Sequence, residues 1–213
     1  MSVCVICKKR QAKRSCPALN AKICPICCAT DRMMELACPE SCVHLETGRQ
    51  NAAQREGHFM AQARAAAGLG RPHLHPGHLH IIGTIHKAIA EVRRSRFRDL
   101  RDSDILAALV NAHKNLETAD SGLIYEHPVT SPPVRAVSEH IREELETLSK
   151  TDSLEGRLTR SMMMEAMSFE IETLELRLRE QGDGQHYLQF FSLFVPWETK
   201  EGSLSKPEPL IVL

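Results

Sequence analysis

The sequence predicts a mainly α-helical protein in which a small cysteine-rich finger precedes a helical bundle domain. All eight cysteines of the 213 residues occur by position 42, in a segment too short to bury a stable core of its own. From about residue 79 onward, apolar residues recur at the spacing of helices that share a core. We therefore divide the chain into a finger at 1–46, an exposed helix and linker at 47–78, and a helical bundle domain at 79–213 whose core is independent of the finger.

The finger concentrates side chains that can bind metal. These are Cys4, Cys7, Cys16, Cys24, Cys27, Cys28, Cys38, Cys42 and His44. Each of two C-x2-C pairs can direct two thiolates at one ion from a tight turn, and eight thiolates match the ligand number of two tetrahedral zinc ions. Lys8 and Lys9 beside Cys7 favour the deprotonated thiol. We expect two zinc ions per chain, with disulfide or thiol redox chemistry as the alternative.

The finger resembles the cross-brace zinc fingers of the HIT and MYND type. The resemblance rests on Cys4-Val-Ile-Cys7, Cys16-Pro17, Cys24-Pro-Ile-Cys27 and a closing Cys/His cluster. It implies two ligand sets, Cys4, Cys7, Cys24 and Cys27 for the first ion, and Cys16, Cys28, Cys38 and Cys42 for the second.

This chain departs from the family pattern within the second set. The segment Cys16-Pro-Ala-Leu19 stands where the family has another C-x2-C, and the end is Cys38-x3-Cys42-x-His44. His44 is therefore an alternative ligand in place of Cys28 or Cys42. The whole chain also looks like a group of uncharacterised bacterial proteins with the same cysteine pattern, a resemblance that implies no activity.

Charge is unevenly distributed although the net charge is zero. The finger carries a positive excess, and its clustered basic residues are Lys8, Lys9, Arg10, Lys13 and Arg14. Such a cluster attracts phosphate and makes nucleic acid a candidate partner. Phe59 is the first aromatic residue of the chain, so rings on which bases could stack are scarce.

Helix signals follow the finger in order. An Ala-, Gln- and Arg-rich segment predicts an exposed helix that ends near Ala67, before turn residues at 68–77. The first bundle helix has an apolar stripe formed by Ile82, Ile85, Ile89 and Val92. Asp102 or Ser103 is the expected N-cap of the second bundle helix.

The later bundle helices have equally clear signals. Pro132 predicts the first turn of the third helix. The fourth, within 154–181, has two apolar faces and is the expected centre of the bundle. Residues 187–195 fit either a short helix or a strand, and the apolar residues 210–213 are expected to dock on the bundle.

Candidate chemistry outside the finger is sparse. The histidine run comprises His73, His75, His78, His80 and His86. With no carboxylate nearby in sequence, it favours a solvated linker over a metal or pH-sensing site. Glu126-His127 is a candidate acid/base pair, although a role in docking neighbouring helices is favoured. No nucleotide-binding or hydrolase motif is present, so no catalytic residue is assigned.

These observations favour a zinc-binding, non-enzymatic adaptor that presents its finger to another protein, with homodimerisation through the helical domain as a further expectation. One alternative is a nucleic-acid-binding regulator that uses the basic finger, and another is an enzyme with a site in the helical domain. The sequence lacks a secretory signal and a long apolar segment. We therefore expect a cytoplasmic protein with no membrane partner.

Overall fold

The structure, a computed structural model, describes residues 2–70, 72–122, 127–151 and 158–197. Within these ranges the chain forms a two-stranded sheet followed by seven helices. The elements are β1 Arg14–Cys16, β2 Ala21–Ile23, α1 Pro25–Thr30, α2 Val43–Ala66, α3 Pro76–Ser95, α4 Asp102–Asp120, α5 Pro132–Thr151, α6 Arg160–Gln181 and α7 His186–Ser192. The predicted mainly helical fold with an N-terminal cysteine cluster is confirmed.

The finger is built on a short hairpin. β1 and β2 pair antiparallel, with Arg14 opposite Ile23 and Cys16 opposite Ala21. Asn20 ends the connecting turn in the left-handed region, at φ 49°, which asparagine tolerates better than most residues. Cys24 follows β2 directly and is the N-cap residue of α1. The hairpin therefore sets the positions of Cys24 and Cys27.

A four-helix bundle follows the finger. α3 and α4 each pack against both α5 and α6, and the predicted stripe of α3, from Ile82 to Val92, is buried. α6 contacts α2, α3, α4 and α7, which confirms its central place. None of the helices in the described ranges combines the length and the apolar composition needed to cross a membrane.

The helix between finger and bundle differs from its prediction. α2 begins at Val43, inside the predicted finger, and continues through Gly48 and Gly57 to Ala66. It buries Leu45 and packs against α6, so one side of it is not exposed. α3 likewise begins early, at Pro76, because proline is well accommodated in the first turn of a helix.

In the bundle, the structure corrects the expected N-cap of α4 and resolves one assignment that the sequence left open. Arg101 holds the N-cap position of α4, because the Asp102 carboxylate is buried and instead accepts hydrogen bonds from the backbone N–H groups of Tyr187 and Leu188, at 3.0 and 3.3 Å. The open assignment at 187–195 is settled as helix α7 over His186–Ser192. Residues 210–213 lie outside the described ranges.

The finger and the bundle are joined through two arginines of α3, buried Arg93 and half-buried Arg94, rather than by the linker alone. Arg93 of α3 donates to the carbonyl oxygen of Met34 at 2.7 Å and to the Glu35 carboxylate at 2.7 Å. Arg94 donates to the carbonyl oxygens of Met33, Val195 and Pro196, at 3.3, 3.0 and 2.9 Å respectively. The expectation of a bundle core independent of the finger is therefore incomplete, since Met34 also belongs to the bundle core.

Candidate metal centre

Four cysteine thiols meet at one point of the finger. The Sγ atoms of Cys4, Cys7, Cys24 and Cys27 all lie within 4.8 Å of one another, and those of Cys7 and Cys24 are 4.0 Å apart. Four sulfurs bonded at about 2.3 Å to a tetrahedral zinc ion lie about 3.8 Å from one another. The thiols are free rather than joined as disulfides. The arrangement is therefore compatible with one zinc ion.

Backbone turns aim these thiols at their common centre. The Lys8 N–H donates to the Cys4 carbonyl oxygen at 2.9 Å, and the Cys4 N–H donates to the Arg10 carbonyl oxygen at 2.9 Å. Lys8 adopts a left-handed φ of 50°, which closes the turn after Cys7. On the other side, the Cys27 N–H lies 3.4 Å from Cys24 Sγ, because both residues belong to the first turn of α1.

The surroundings stabilise negative charge on two of the sulfurs. The backbone N–H groups of Lys9 and Arg10 lower the pKa of Cys7 to about 6. The Cys27 N–H lowers the pKa of Cys24, which also accepts a hydrogen bond from Arg10. Burial and the neighbouring sulfurs raise the pKa of Cys27 to about 12. A bound cation would relieve this mutual repulsion of thiolates.

The four cysteines predicted for the second ion form a looser group. Burial raises the pKa of Cys38 to about 11, and the charges of Cys16, Cys42 and Cys28 raise it further. These residues are therefore electrostatic neighbours. Within the described residues, however, they do not form a group with all sulfurs inside 4.8 Å.

His44, the alternative ligand, points to different surroundings. It is half-buried on α2 and lines a cavity together with Arg14 and Arg32. Burial lowers its pKa, and the charges of those two arginines lower it further. Arg32 instead approaches the second cysteine group, with Nη2 3.7 Å from Cys28 Sγ.

The five clustered basic residues of the finger do not share one surface role. Lys8, Lys9 and Lys13 are exposed. Arg10 is exposed but hydrogen-bonds to the thiol of Cys24, and Arg14 is half-buried at the cavity beside His44. Two of the five side chains are thus directed to sites within the protein.

A third group of metal-capable side chains has no counterpart among the sequence-based predictions. Glu91 of α3 meets His140 and Glu144 of α5, with ligand atoms within 4.8 Å of one another. The His-x3-Glu spacing on α5 is a signal that could have found it. His140 Nε2 lies 2.8 Å from Glu91, and Lys87 lies 3.6 Å from the same carboxylate. The group is thus also explained as a surface ion-pair network.

Two members of the histidine run are not solvated linker residues. His78 is buried, with Nε2 3.2 Å from the Glu165 carboxylate. His86 Nε2 lies 3.2 Å from Glu170 and 2.8 Å from the Tyr187 hydroxyl, which in turn donates to Glu170. The expectation was wrong here because the carboxylates come from α6, far away in sequence. The other three, His73, His75 and His80, are exposed.

The candidate acid/base pair is only partly described. Glu126 lies outside the described residues. The backbone N–H of His127 donates to Asn115 at 2.8 Å, and its Nε2 lies 3.1 Å from the Thr118 hydroxyl. These contacts hold the loop before α5 against α4, which is the docking role that the sequence favours.

Comparisons with protein families, curated proteins and solved structures give no match to this chain. The interpretation of the cysteine cluster therefore depends on its geometry and donor chemistry.

Proposed function

We propose that the chain is a zinc-binding interaction protein, in which a two-zinc cross-brace finger is held on a helical bundle and contacts another protein. The observation that carries the proposal is the group of four thiols with sulfur separations close to those of tetrahedral zinc. The group joins the pair Cys4 and Cys7 to the pair Cys24 and Cys27, and skips Cys16 between them. That alternation is the ligand order of a cross-brace finger.

In this proposal zinc has a structural role. Four thiolates complete a tetrahedral shell and leave no open position for water or substrate. The second ion takes Cys16, Cys28, Cys38 and Cys42, since these sulfurs are close enough to influence one another's charge. Binding of zinc draws them together and supplies the stability that the short finger lacks.

The proposed contact surface covers the outside of the first zinc site. Val5 and Ile6 lie between Cys4 and Cys7, and Ile26 lies between Cys24 and Cys27. Val5 is 49% exposed, Ile6 37% and Ile26 53%. Exposed apolar side chains grouped beside charged residues are typical of protein-binding sites. Because Lys8 and Lys9 lie next to them, the favoured partner surface combines apolar side chains with carboxylates.

Nucleic-acid binding is supported less well. Arg10 already bonds to a thiol, and Arg14 faces a cavity. The remaining lysines would give salt-sensitive attraction to phosphate, but the finger has no aromatic residue with which to stack on bases.

The contact surface can be tested with a matched pair of variants. A partner isolated from the native host with the zinc-loaded chain is purified, and its affinity is measured for Val5→Asp/Ile26→Asp and for Leu79→Asp. Leu79 is 57% exposed on α3, distant in sequence from the finger. We expect the finger variant to weaken binding about tenfold or more and the Leu79 variant to leave it unchanged.

Two results would contradict the proposal. One is equal affinity of the partner for both variants. The other is submicromolar binding of RNA or DNA at physiological salt that is lost on replacing Lys8 and Lys9 with Ala, which would favour the nucleic-acid alternative. Zinc content is measured for every variant, so that loss of metal is not mistaken for loss of the surface.

A further inference from the structure

A cavity lies where the finger, α2, α6 and α7 meet. The cavity there has a volume of about 750 Å³, within the usual range of small-molecule sites. Its lining includes four arginines and two histidines: Arg14, Arg32, Arg55, Arg177, His44 and His186. Among the described residues that line it, Glu56 is the single carboxylate, and it is already ion-paired with Arg177.

Arg32 is the most unusual member of this lining. Its side chain is buried, with 9% of the residue exposed, yet no carboxylate in the described part of the chain pairs with it. Its Nη2 donates a hydrogen bond to Cys28 Sγ at 3.7 Å, while its Nε has no hydrogen-bond partner. Burying a guanidinium with incomplete pairing is costly. An anion in the cavity would offset that cost.

The backbone of α2 makes room for this guanidinium. A Cβ atom at Gly48 would overlap Nη1 of Arg32, so a residue with any side chain would displace it. Glycine within a helix costs about 0.5–1 kcal/mol relative to alanine. The helix therefore carries an unfavourable residue at the point where Arg32 crosses it.

Arg177 of α6 lines the same cavity. It is 3% exposed, lies over the Phe59 ring at 5.1 Å and has an unpartnered Nε. Arg14 and Arg55 line the same space without an ion pair in the described residues. Four arginines against one glutamate leave an excess of three positive charges, before the two histidines are counted.

We propose that this cavity binds a small molecule that bears a phosphate group. A carboxylate ligand would neutralise one of the excess charges, whereas a phosphate monoester carries a charge of about −1.5 to −2 at neutral pH. Guanidinium groups also match phosphate oxygens through paired hydrogen bonds. Asn51, Gln54 and Gln189 add neutral polar groups, and Phe190 adds an apolar wall for the rest of the ligand.

The site is separate from the contact surface proposed for the finger, so the two proposals can fail independently. Inorganic phosphate and adenosine monophosphate are the probes, titrated calorimetrically into the zinc-loaded full chain, and adenosine is the uncharged control. We expect one-to-one binding of both anions and none of adenosine.

Charge-reversal variants locate the binding. Arg55→Glu changes an exposed residue with no ion pair in the described structure, and we expect it to weaken adenosine monophosphate binding about tenfold. Arg135→Glu makes the same charge change on α5, outside this cavity, and should alter the affinity less than about twofold. Arg32→Met should remove binding. If the Arg32→Met protein loses zinc, binding is measured with the Arg14→Glu variant instead.

Several results would overturn the proposal. These are the absence of saturable binding of either anion, an equal effect of Arg55→Glu and Arg135→Glu, or equal affinity for adenosine and its monophosphate. Binding of RNA oligomers without binding of the small anions would also overturn it, and would identify the cavity as part of a polynucleotide surface.

Discussion

Asp102 makes the stability of the bundle depend on pH. Burial raises the pKa of its carboxyl to about 6, from an ordinary value of 3.8, while the Leu188 N–H acts in the opposite direction. Because the folded-state pKa exceeds the unfolded-state value, the folded protein binds the proton more tightly. This contribution to stability is complete below about pH 4 and is lost as pH rises through about 6.

Replacing Asp102 with Asn removes that titration. Between pH 5 and 7.5, the free energy of unfolding of the wild type should fall by about 1 kcal/mol relative to Asp102→Asn. Urea denaturation of both zinc-loaded proteins, followed by circular dichroism, measures the difference. Parallel pH profiles for the two proteins would show that Asp102 does not titrate in this range.

The cysteine pairs predict a specific pattern of metal loss. The wild type should bind about two zinc ions, and Cys4→Ser and Cys24→Ser should each leave one. The double variant Cys4→Ser/Cys24→Ser should also leave one, because both residues hold the same ion. Cys4→Ser/Cys42→Ser should leave none.

Elemental analysis of the purified variants gives these ratios. Retention of one ion by Cys4→Ser/Cys42→Ser would contradict the ligand sets. A wild-type ratio near three that falls to two in His140→Ala would place an additional ion at Glu91, His140 and Glu144.

At the scale of elements, the two glycines of α2 should respond oppositely to alanine. A Cβ atom at Gly57 would meet no other atom within 4 Å, so Gly57→Ala should stabilise the protein by about 0.5–1 kcal/mol through helix propensity. Gly48→Ala should destabilise it, because the new methyl group displaces the Arg32 guanidinium. Thermal unfolding of both variants against the wild type measures the signs, and equal stabilisation would mean that Arg32 adapts freely.

Local patterns explain how much of the fold was predictable. The apolar stripe from Ile82 to Val92, the proline start of α5 and the two faces of α6 are properties of contiguous sequence, so periodicity identifies them. The C-x2-C pairs identify the four-thiol group for the same reason.

Long-range contacts explain what was not predictable. Glu170 reaches His86 only through the packing of α6 against α3. Asp102 does not cap α4 because its carboxylate accepts a hydrogen bond from Tyr187 of α7, which lies more than 80 residues further on. The spacing likewise does not fix whether Cys28 or His44 joins the other cysteines of the second group. Such choices depend on tertiary packing, which outweighs local preference.

At the scale of the whole molecule, Arg93 is the main polar link between finger and bundle. Its side chain is 5% exposed, whereas that of Arg98, which lies 3.5 Å from the same Glu35, is 65% exposed. The Glu35 side chain itself is 41% exposed, but Arg93 also donates a buried hydrogen bond to the Met34 carbonyl oxygen, whereas an exposed ion pair contributes about 1 kcal/mol or less. Arg93→Met should therefore lower the free energy of unfolding more than Arg98→Met.

Denaturant unfolding of the two methionine variants tests this, with proteolysis of the finger as a second readout. We expect faster cleavage within the finger of Arg93→Met at equal zinc content. Similar stability and cleavage of the two variants would mean that the finger is held by its apolar contacts, such as that of Met34, and not by the arginine.

The position of Arg94 has a consequence for the order in which the chain matures during synthesis. Its guanidinium joins Met33, near the start of the chain, to Val195 and Pro196, which a ribosome adds some 160 residues later. At about 5–20 residues per second, on the order of ten to thirty seconds pass between the synthesis of Met33 and that of Val195 and Pro196. Only then can Arg94 make all three hydrogen bonds. Under the proposed zinc binding, the captured ions would be the main stabiliser of the finger throughout that interval, so we expect zinc supply during translation to govern how many chains reach the finished state.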